Sequence, residues 1–353
     1  MLTSLALNHY RLLGRSGLRV SPLALGTMTF GTDWGWGAEQ AEARRLFDVY
    51  VERGGNFIDT ANRYTEGSSE RFIGEFATGR RDRLVIATKY TLPMQPDNPN
   101  SGGNHRKSMV RSVEESLRRL NTDYIDLLYL HAWDATTPAE EIMRAMDDLV
   151  RAGKVLYLAV SDLPAWQAAR MQTLADLRGW SPLIGLQIEY SLLERTVERE
   201  LIPMAQELGL GVIPWSPLSG GILSGKYSRQ DLQAQGEENG TRRAMVRNKG
   251  MLTERNITLA ETVLTLAREA GFSPSQVALA WTLRNPAVTA PIIGVRTLAQ
   301  LEDNLGALEV RLTAEQWRRL DTASAIELGF PHDFLALQVT RDIMFGGLTI
   351  ERR

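Results

Sequence analysis

The sequence of 353 residues contains no cysteine. Without thiols the chain cannot form disulfides, use a thiolate nucleophile or bind a metal through sulfur. Chains without cysteine fit reducing compartments, so this absence favours a cytoplasmic location. The pattern also predicts no metal site.

The sequence also lacks an excess of charge of one sign and any long apolar run. The net charge of −2 provides no strong field for nucleic acid or for an anionic membrane surface. No apolar run approaches the ~18 residues that a membrane span needs. Residues 1–17 lack the charged start, apolar stretch and cleavage site of a signal peptide. We therefore predict a cytoplasmic protein that binds neither nucleic acid nor membrane.

The sequence does contain a regular alternation of short apolar runs and segments with helical periodicity. Eight runs are predicted to be strands, and most of them are apolar throughout, which is typical of parallel strands covered on both faces. They begin at Leu23, Asn56, Leu84, Ile125, Val155, Leu183, Leu210 and Val288.

Between these runs, apolar residues recur with the period of an α-helix. One such stripe consists of Ala43, Leu46, Phe47 and Tyr50. Three helix starts resemble capping boxes, and in the first two a proline is predicted at the first helical position. These starts are Thr137 with Glu140, Ser273 with Gln276, and Thr313 with Gln316.

The alternation predicts a closed (β/α)8 TIM barrel that forms one α/β domain over residues 1–353. An open doubly wound sheet is the alternative, but no G-x-G-x-x-G motif follows the first strand. Residues 9–22 are predicted to form a hairpin at the bottom of the barrel, and residues 321–353 a C-terminal tail. The long loops 91–105 and 227–250 follow strands and therefore lie on the C-terminal face, where barrels carry their sites.

Four titratable residues fall at or just after successive strand ends. Asp59 ends the second predicted strand, Lys89 the third and His131 the fourth, and Tyr64 lies in the loop after Asp59. Taken singly, each could be a cap, a solvated loop residue or a wall residue. In a barrel all four gather at one rim, which indicates a site.

These residue types suit the reduction of a carbonyl group. A free tyrosine has a pKa of ~10, and a nearby ammonium lowers it by stabilising the phenolate. A carboxylate keeps the ammonium charged and positioned, and a neutral imidazole can bind a substrate oxygen. Such a set binds a carbonyl oxygen and protonates it as negative charge develops. The missing reductant points to a nicotinamide cofactor.

The segments around these residues resemble the aldo-keto reductase superfamily. "NFIDTANRY", "IATK", "IDLLYLHAWD" and "PWSPLSGGILSGKY" follow its pattern in order, and "GNHRKSM" and "SDLPAW" are similar to its aryl-alcohol-dehydrogenase-like branch. The resemblance implies reversible, NADP(H)-dependent reduction of aldehydes or ketones. It makes Tyr64 the general acid, Lys89 its tuning group and Asp59 the partner of Lys89. His131 would orient the carbonyl.

The resemblance also implies contacts to the cofactor. Ser161, Asp162 and Gln187 would hold the nicotinamide carboxamide, although the wider superfamily has asparagine at the position of Asp162. Trp215 would stack on the nicotinamide ring, where many relatives have tyrosine. A turn position for Ser161 and a core position for Trp215 stay open. The other implied contacts, most of them along the pyrophosphate, are Thr27, Ser216, Pro217, Leu218, Gly220, Gly225 and Lys226.

The segment "IIGVRTLAQLEDNL" resembles the superfamily's adenine-phosphate segment. Its implied binding positions are Gly294, Arg296, Gln300, Asp303 and Asn304. A guanidinium suits a phosphate dianion, so Arg296 favours NADP over NAD. Asp303 replaces the usual glutamate, and its shorter reach predicts a weaker adenine contact. The polar residues 227–250 are predicted to strap over the bound cofactor.

Aromatic residues near the rim predict a pocket for aromatic or apolar carbonyl substrates, with simple packing as the alternative. The candidates are Phe30, Trp34, Trp36 and Trp133, together with Phe330, Phe334 and Phe345 of the tail. Two other functions stay open at this point. One is a Schiff-base aldolase that uses Lys89, and the other is a regulatory or binding subunit. The sequence predicts no oligomeric state.

Overall fold

The computed structural model describes residues 6–233 and 246–350, and its centre is a parallel sheet of eight strands. A hairpin of β1 (Arg11–Leu12) and β2 (Arg19–Val20) precedes the sheet. The sheet strands are β3 (Ala24–Gly26), β4 (Phe57–Asp59), β5 (Val85–Tyr90), β6 (Ile125–Leu130), β7 (Val155–Ser161), β8 (Leu183–Glu189), β9 (Gly211–Trp215) and β10 (Ile292–Gly294).

These strands close into a barrel. Each of β3 to β9 pairs with the next along the chain, and β10 pairs with β3. On the other side, Val288 forms a parallel bridge with Val212 of β9, just ahead of β10. All eight predicted strands are therefore present, and the predicted (β/α)8 barrel is confirmed.

Helices connect the strands and bury the predicted apolar stripes. Ala43, Leu46, Phe47 and Tyr50 are all buried on the first of them. The main helices span Gln40–Glu52, Ser68–Phe76, Arg106–Leu120, Ala139–Arg151, Ala165–Arg178, Leu201–Glu207, Arg229–Gln233, Glu254–Ala270, Pro274–Arg284, Leu298–Leu305 and Ala314–Ala323. Short 3-10 helices span Tyr64–Gly67, Arg81–Arg83, Thr196–Glu198, Ser219–Ser224 and Gly306–Glu309.

Two of the three predicted capping boxes are confirmed, those at Ser273 and Thr313. The one at Thr137 is wrong. Its hydroxyl donates a hydrogen bond to the Asp134 carboxylate at 2.7 Å instead of capping a helix. The helix that follows begins one residue later than predicted, so Pro138 is its N-cap and not its first residue.

The predicted hairpin plugs the bottom of the barrel. Leu13 and Val20 are fully buried and belong to the same apolar cluster as inward-facing strand residues such as Phe57. The turn requires glycine at Gly14, where φ is +54° and a Cβ atom would lie 2.2 Å from the carbonyl oxygen of Ile184. Because Ile184 lies near the start of β8, this contact is at the end of the barrel opposite the strand ends that carry the candidate site.

The C-terminal tail leaves the barrel after the helix Ala314–Ala323 and continues in two short helices, His332–Ala336 and Gln338–Phe345. Of the predicted strap over residues 227–250, residues 234–245 lie outside the described part of the chain. Within the described ranges, no helix combines the length and the apolar character that a membrane span requires.

Candidate active site

A buried ion pair lies at the carboxyl ends of β4 and β5. Lys89 Nζ donates to Asp59 Oδ1 at 2.6 Å, and the two side chains are 0% and 2% exposed. The ammonium also donates to the carbonyl oxygen of Thr60 at 2.8 Å. Both strands run in the same direction and are neighbours in the sheet, so their ends bring these charges together as the sequence predicted.

The third hydrogen bond of Lys89 reaches Tyr64, whose phenolic oxygen lies 3.1 Å from Nζ. Tyr64 begins a 3-10 helix in which Thr65 and Glu66 have positive φ angles of 45° and 52°. Non-glycine residues seldom adopt this conformation. The Thr65 hydroxyl donates to the carbonyl oxygen of Phe30 at 2.7 Å and thereby fixes the turn. The strained turn holds the phenol against the end of the neighbouring strand.

Burial and charge act in opposite directions on the two groups. Burial alone lowers the pKa of Lys89, but the Asp59 carboxylate and Tyr64 outweigh it and hold that pKa above its ordinary value. Burial raises the pKa of Tyr64, and the attraction of Lys89 offsets only part of this rise. Lys89 does favour the phenolate, as expected, but the predicted net lowering of the Tyr64 pKa is wrong. The phenol is protonated at neutral pH, which is the form that a proton donor requires.

His131 follows β6 directly and completes the cluster. Its ring meets that of Tyr64 edge to face, with centroids 6.1 Å apart. Burial, together with the nearby Lys89, lowers the pKa of His131 to about 3, so the imidazole is neutral. Its buried Nδ1 has no hydrogen-bond partner within the described residues. A neutral ring beside a protonated phenol can share a substrate oxygen with it.

Gln187 has a role in this cluster that the sequence did not reveal. From β8, its Nε2 donates to Asp59 Oδ2 at 2.8 Å. Both carboxylate oxygens are therefore occupied, one by Lys89 and one by Gln187. The two partners of this bond are 128 positions apart in the sequence, so only the closed barrel brings them together.

A second unpredicted network holds the loop that carries His131. The buried Asn104 side chain donates to Thr91 Oγ1 and to the carbonyl oxygen of Ala132, both at 2.9 Å. Asn104 and Asp134 also exchange two bonds, each from a backbone N–H to the other's side-chain oxygen, at 2.7 and 2.8 Å. Thr91 Oγ1 in turn accepts the backbone N–H of His131 at 3.3 Å. The loop after β5 is thus tied to the loop after β6.

Strained backbone is concentrated on the C-terminal face, in the loops after β4, β5, β6, β7 and β9. Among the described residues, all non-glycine positions with positive φ except Asn121 follow the carboxyl end of a sheet strand. They are Thr65, Glu66, Thr91, Ala135, Asp162, Ser216 and Ser219. Such strain tends to gather at binding and catalytic sites.

The residues expected to hold a nicotinamide lie on the adjacent strands. Ser161 ends β7 and pairs with Gln187 of β8. The buried Ser161 hydroxyl has no partner in the described part of the chain. Asp162 Oδ1 accepts the indole N–H of Trp215 at 3.0 Å, and Trp215 is half-buried at the end of β9. An unpaired buried hydroxyl, an amide and a flat indole side by side fit a ring that carries a carboxamide.

A cavity of about 430 Å³ opens beside Trp215, and its walls include Ser216, Gly220 and Lys249. Gly220 has a φ of +65°, and a Cβ atom there would lie 2.8 Å from the side chain of Val246. The glycine therefore lets this turn pack against Val246, and the backbone N–H groups of Ser219, Gly220 and Gly221 are bonded within the turn. Of the other residues implied here, Pro217 is buried, Leu218 is half-buried, and Gly225 and Lys226 are exposed.

The adenine-phosphate candidates surround the start of the helix Leu298–Leu305. Thr297 caps this helix by accepting the Gln300 N–H, and Gln300 Oε1 accepts the backbone N–H of Arg296 at 2.9 Å. The helix N-terminus and the exposed Arg296 together suit an anion. Gly294 and Gln300 are also exposed, Asp303 is half-buried and Asn304 is buried.

Thr27 lies differently from the other cofactor candidates. Its backbone N–H and its hydroxyl both donate to the carbonyl oxygen of Asp59, at 3.0 and 2.9 Å. Its own carbonyl oxygen accepts the Ser69 hydroxyl at 2.8 Å, and the residue is fully buried. Every polar atom of Thr27 therefore has a partner inside the protein. These bonds join the end of β3 to β4, and the cofactor contact of Thr27 stays a prediction.

The aromatic candidates separate into two groups. Trp34 and Trp36 are half-buried with their ring centroids 5.8 Å apart, and the Trp34 N–H donates to Glu66 in the turn of Tyr64 at 3.0 Å. Trp133 is also half-buried and packs edge to face on Trp166. Phe30 is fully buried against Phe76 in the core, so it cannot line a pocket. The tail residues Phe330, Phe334 and Phe345 are exposed and are not enclosed by a pocket.

Comparisons with known proteins agree with this geometry. The model of the Aldo/keto reductase family matches residues 22–325. A norsolorinic acid reductase of Aspergillus flavus is 39% identical over 340 residues, which cover 93% of this chain and 84% of that protein. An aryl-alcohol dehydrogenase (NADP+) of Phanerodontia chrysosporium is 38% identical over 342 residues, or 92% and 88% of the two chains.

A bacterial relative is similar over nearly its whole length. An uncharacterized oxidoreductase of Bacillus subtilis is 42% identical over 325 residues, which cover 89% of this chain and 95% of that protein. The family model and the relatives cover the barrel and the site residues at its rim. The chain belongs to the aldo/keto reductase family and is an oxidoreductase.

Proposed function

We propose that this protein reduces aldehydes or ketones to alcohols, reversibly, with NADPH as the reductant and Tyr64 as the proton donor. The observation that carries this proposal is the hydrogen bond between a buried, charged Lys89 and a protonated Tyr64 beside a neutral His131. The nicotinamide, when bound, supplies the hydride to the carbonyl carbon.

The protein's own residues supply the proton and stabilise the phenolate that remains. Tyr64 donates its proton to the carbonyl oxygen as that oxygen gains negative charge, and the phenolate left behind is stabilised by the ammonium of Lys89. Asp59 and Gln187 hold Lys89 in place through the doubly bonded carboxylate. His131 binds the same oxygen and orients it. The phenolate regains a proton from solvent, and the reverse sequence oxidises an alcohol.

Cofactor recognition is divided along the rim. Ser161, Asp162 and Gln187 would hold the carboxamide, and Trp215 would lie against the ring. Arg296, exposed at a helix N-terminus, would take the 2′-phosphate that distinguishes NADP from NAD. A relative whose name includes NADP+ supports this choice.

The substrates we propose are aromatic or apolar carbonyl compounds. Three half-exposed tryptophans near the rim, Trp34, Trp36 and Trp133, offer flat apolar surfaces for such molecules. The similarity to an aryl-alcohol dehydrogenase and to a norsolorinic acid reductase supports the same class.

The test is the consumption of NADPH in the presence of a panel of aldehydes and ketones that includes 4-nitrobenzaldehyde. We expect turnover with aromatic aldehydes, and slower turnover when NADH replaces NADPH. A matched assay with borohydride checks the aldolase alternative, in which Lys89 forms an imine. An imine trapped on Lys89 without NADPH consumption would overturn the proposal. If the protein turned over none of the aldehydes and ketones in the panel, this result would favour a regulatory subunit.

A further inference from the structure

The tail segment of residues 328–350, here named the apolar tail, exposes its apolar side chains to solvent. It contains eleven of the large apolar side chains that are at least 36% exposed, including Phe330 at 85%, Ile343 at 79% and Leu348 at 72%. The rest of the described chain, which is more than ten times longer, contributes five. Exposed apolar residues are thus concentrated in one short segment.

The exposed area of this segment is large for a free surface. At roughly 100 Å² for each exposed side chain, the eleven residues present on the order of 1,000 Å² of apolar surface. The largest apolar patch on a typical monomer is about 300–600 Å². One partner in a stable protein interface contributes about 800 Å². Summed over all faces of the segment, the exposed apolar area therefore reaches the area that one partner contributes to an interface.

Polar contacts hold the base of the tail on the barrel, and the described residues leave the apolar side chains of residues 328–350 exposed. Arg195 Nη1 donates to Ser324 Oγ at 2.8 Å, and Arg199 Nη2 donates to the carbonyl oxygen of Glu327 at 2.7 Å. Arg195 and Arg199 lie in the segment that follows β8, on the face of the barrel that carries the candidate site. The start of the tail is therefore fixed on the barrel, while its apolar side chains stay exposed.

We propose that the apolar tail is an interface with the same segment of a second copy of this chain. A second copy always supplies a surface of equal size and character, and pairing about a two-fold axis buries both segments at once. The charged residues Asp333, Arg341 and Asp342 include both signs, so an Arg341 on one copy can face an acidic residue on the other. The chain's net charge of −2 opposes such pairing only weakly.

The charge of the segment argues against a membrane surface as the partner. Segments that lie on anionic membranes combine an apolar face with clustered lysines and arginines. Arg341 is the only lysine or arginine in residues 328–350. This composition favours a protein surface of the same kind.

The test is the molar mass of the full chain, measured by light scattering after gel filtration over a series of concentrations. We expect a mass twice that of one chain. Ile343→Glu and Phe330→Glu place a charge in the interface and should return the mass to that of one chain, with the circular dichroism spectrum unchanged. Leu177→Glu is the matched control, because Leu177 is 78% exposed on the helix Ala165–Arg178, and it should keep the double mass.

Three results would overturn the proposal. The first is a wild-type protein with the mass of one chain at every concentration. The second is a double mass that survives both tail substitutions, because this places the interface elsewhere. The third is a wild-type monomer that floats with phosphatidylcholine and phosphatidylglycerol vesicles while Ile343→Glu does not, which assigns the tail to a membrane.

Discussion

The two sides of the barrel rim differ in how far their polar groups are joined to one another. On the acid–base side, formed by Asp59, Tyr64, Lys89 and His131, one ammonium bonds two of the other residues and a backbone carbonyl. On the cofactor side, formed by Ser161, Asp162, Trp215 and Arg296, the bond from Trp215 to Asp162 joins two of the described side chains.

This difference shows which side of the rim has its geometry set before a ligand binds. Proton transfer depends on geometry that is set before the reaction, because groups that need not reorganise stabilise developing charge best. A binding residue needs only to meet its ligand, so an unpaired hydroxyl such as that of Ser161 suits it. Substitutions on the acid–base side should therefore affect chemistry, and also stability where they remove a buried charge, whereas those on the cofactor side should affect binding alone.

The largest effect is expected for Tyr64→Phe, which deletes one oxygen and keeps the ring. If this oxygen donates the proton, kcat for 4-nitrobenzaldehyde should fall by about 10²–10⁴. NADPH affinity and the unfolding midpoint should change little. Tyr129→Phe is the control, because it deletes the oxygen of another buried phenol whose ring lies 5.7 Å from Lys89. A Tyr64→Phe enzyme with a kcat close to that of the Tyr129→Phe enzyme contradicts the mechanism.

The next largest effect is expected for Lys89→Met, on stability as well as on activity. It leaves the Asp59 carboxylate buried without its cation, and removing one partner of such a pair costs roughly 3–5 kcal/mol of unfolding free energy. Urea denaturation measures this loss. Adding Asp59→Asn removes the stranded charge, so the double variant should regain part of the stability but none of the reductase activity. No loss of stability in Lys89→Met would show that the pair is not charged.

The acid–base side could be predicted from sequence because its positions follow from local pattern. Asp59 and Lys89 end strands whose apolar runs are plain in the sequence, and parallel strands bring such ends to one rim. The link from Gln187 to Asp59 could not be predicted, because no local pattern reports which side chains meet across a closed barrel. The direction in which the Tyr64 pKa is shifted could not be predicted either, because it depends on burial that only the fold reveals.

Other misses reflect competition between neighbouring groups. Phe30 lies just beyond β3, where the backbone bridges to Ala38, and its side chain turns into the core toward Phe76. Thr137 had the right spacing for a helix cap, but the Asp134 carboxylate takes its hydroxyl. In both cases the residue type and its position were correct, and the direction of the side chain was decided by a partner that sequence periodicity does not identify.

A smaller effect, confined to binding, is expected for Arg296→Ala. The lost charge-assisted hydrogen bond to the 2′-phosphate should cost roughly 1.5–3 kcal/mol, which weakens NADPH about 10–150-fold. NADH affinity and kcat at saturating NADPH should stay near wild type. Arg318→Ala, at a side chain that is 73% exposed, controls for the loss of one positive charge. Equal losses for NADPH and NADH would remove Arg296 from the phosphate site.

The smallest effect is expected for the bond from Trp215 to Asp162 on the cofactor side. Trp215→Phe keeps a flat ring but deletes the N–H, so NADPH affinity should fall by about 0.5–1.5 kcal/mol, or roughly 2–10-fold. Asp162→Ala removes the acceptor. If the Asp162 carboxylate acts by orienting the indole, the double variant should bind NADP+ no more weakly than the single variant with the lower NADP+ affinity.

Calorimetric titration with NADP+ measures the affinities of the wild type, both single variants and the double variant, which together form a double-mutant cycle. Unchanged kcat at saturating NADPH in Trp215→Phe would confirm that the cofactor side serves binding. Losses that simply add would mean that Asp162 and Trp215 contact the cofactor independently. A drop in kcat as large as that of Tyr64→Phe would contradict the separation of the rim into an acid–base side and a cofactor side, because Trp215 would then take part in the chemical step.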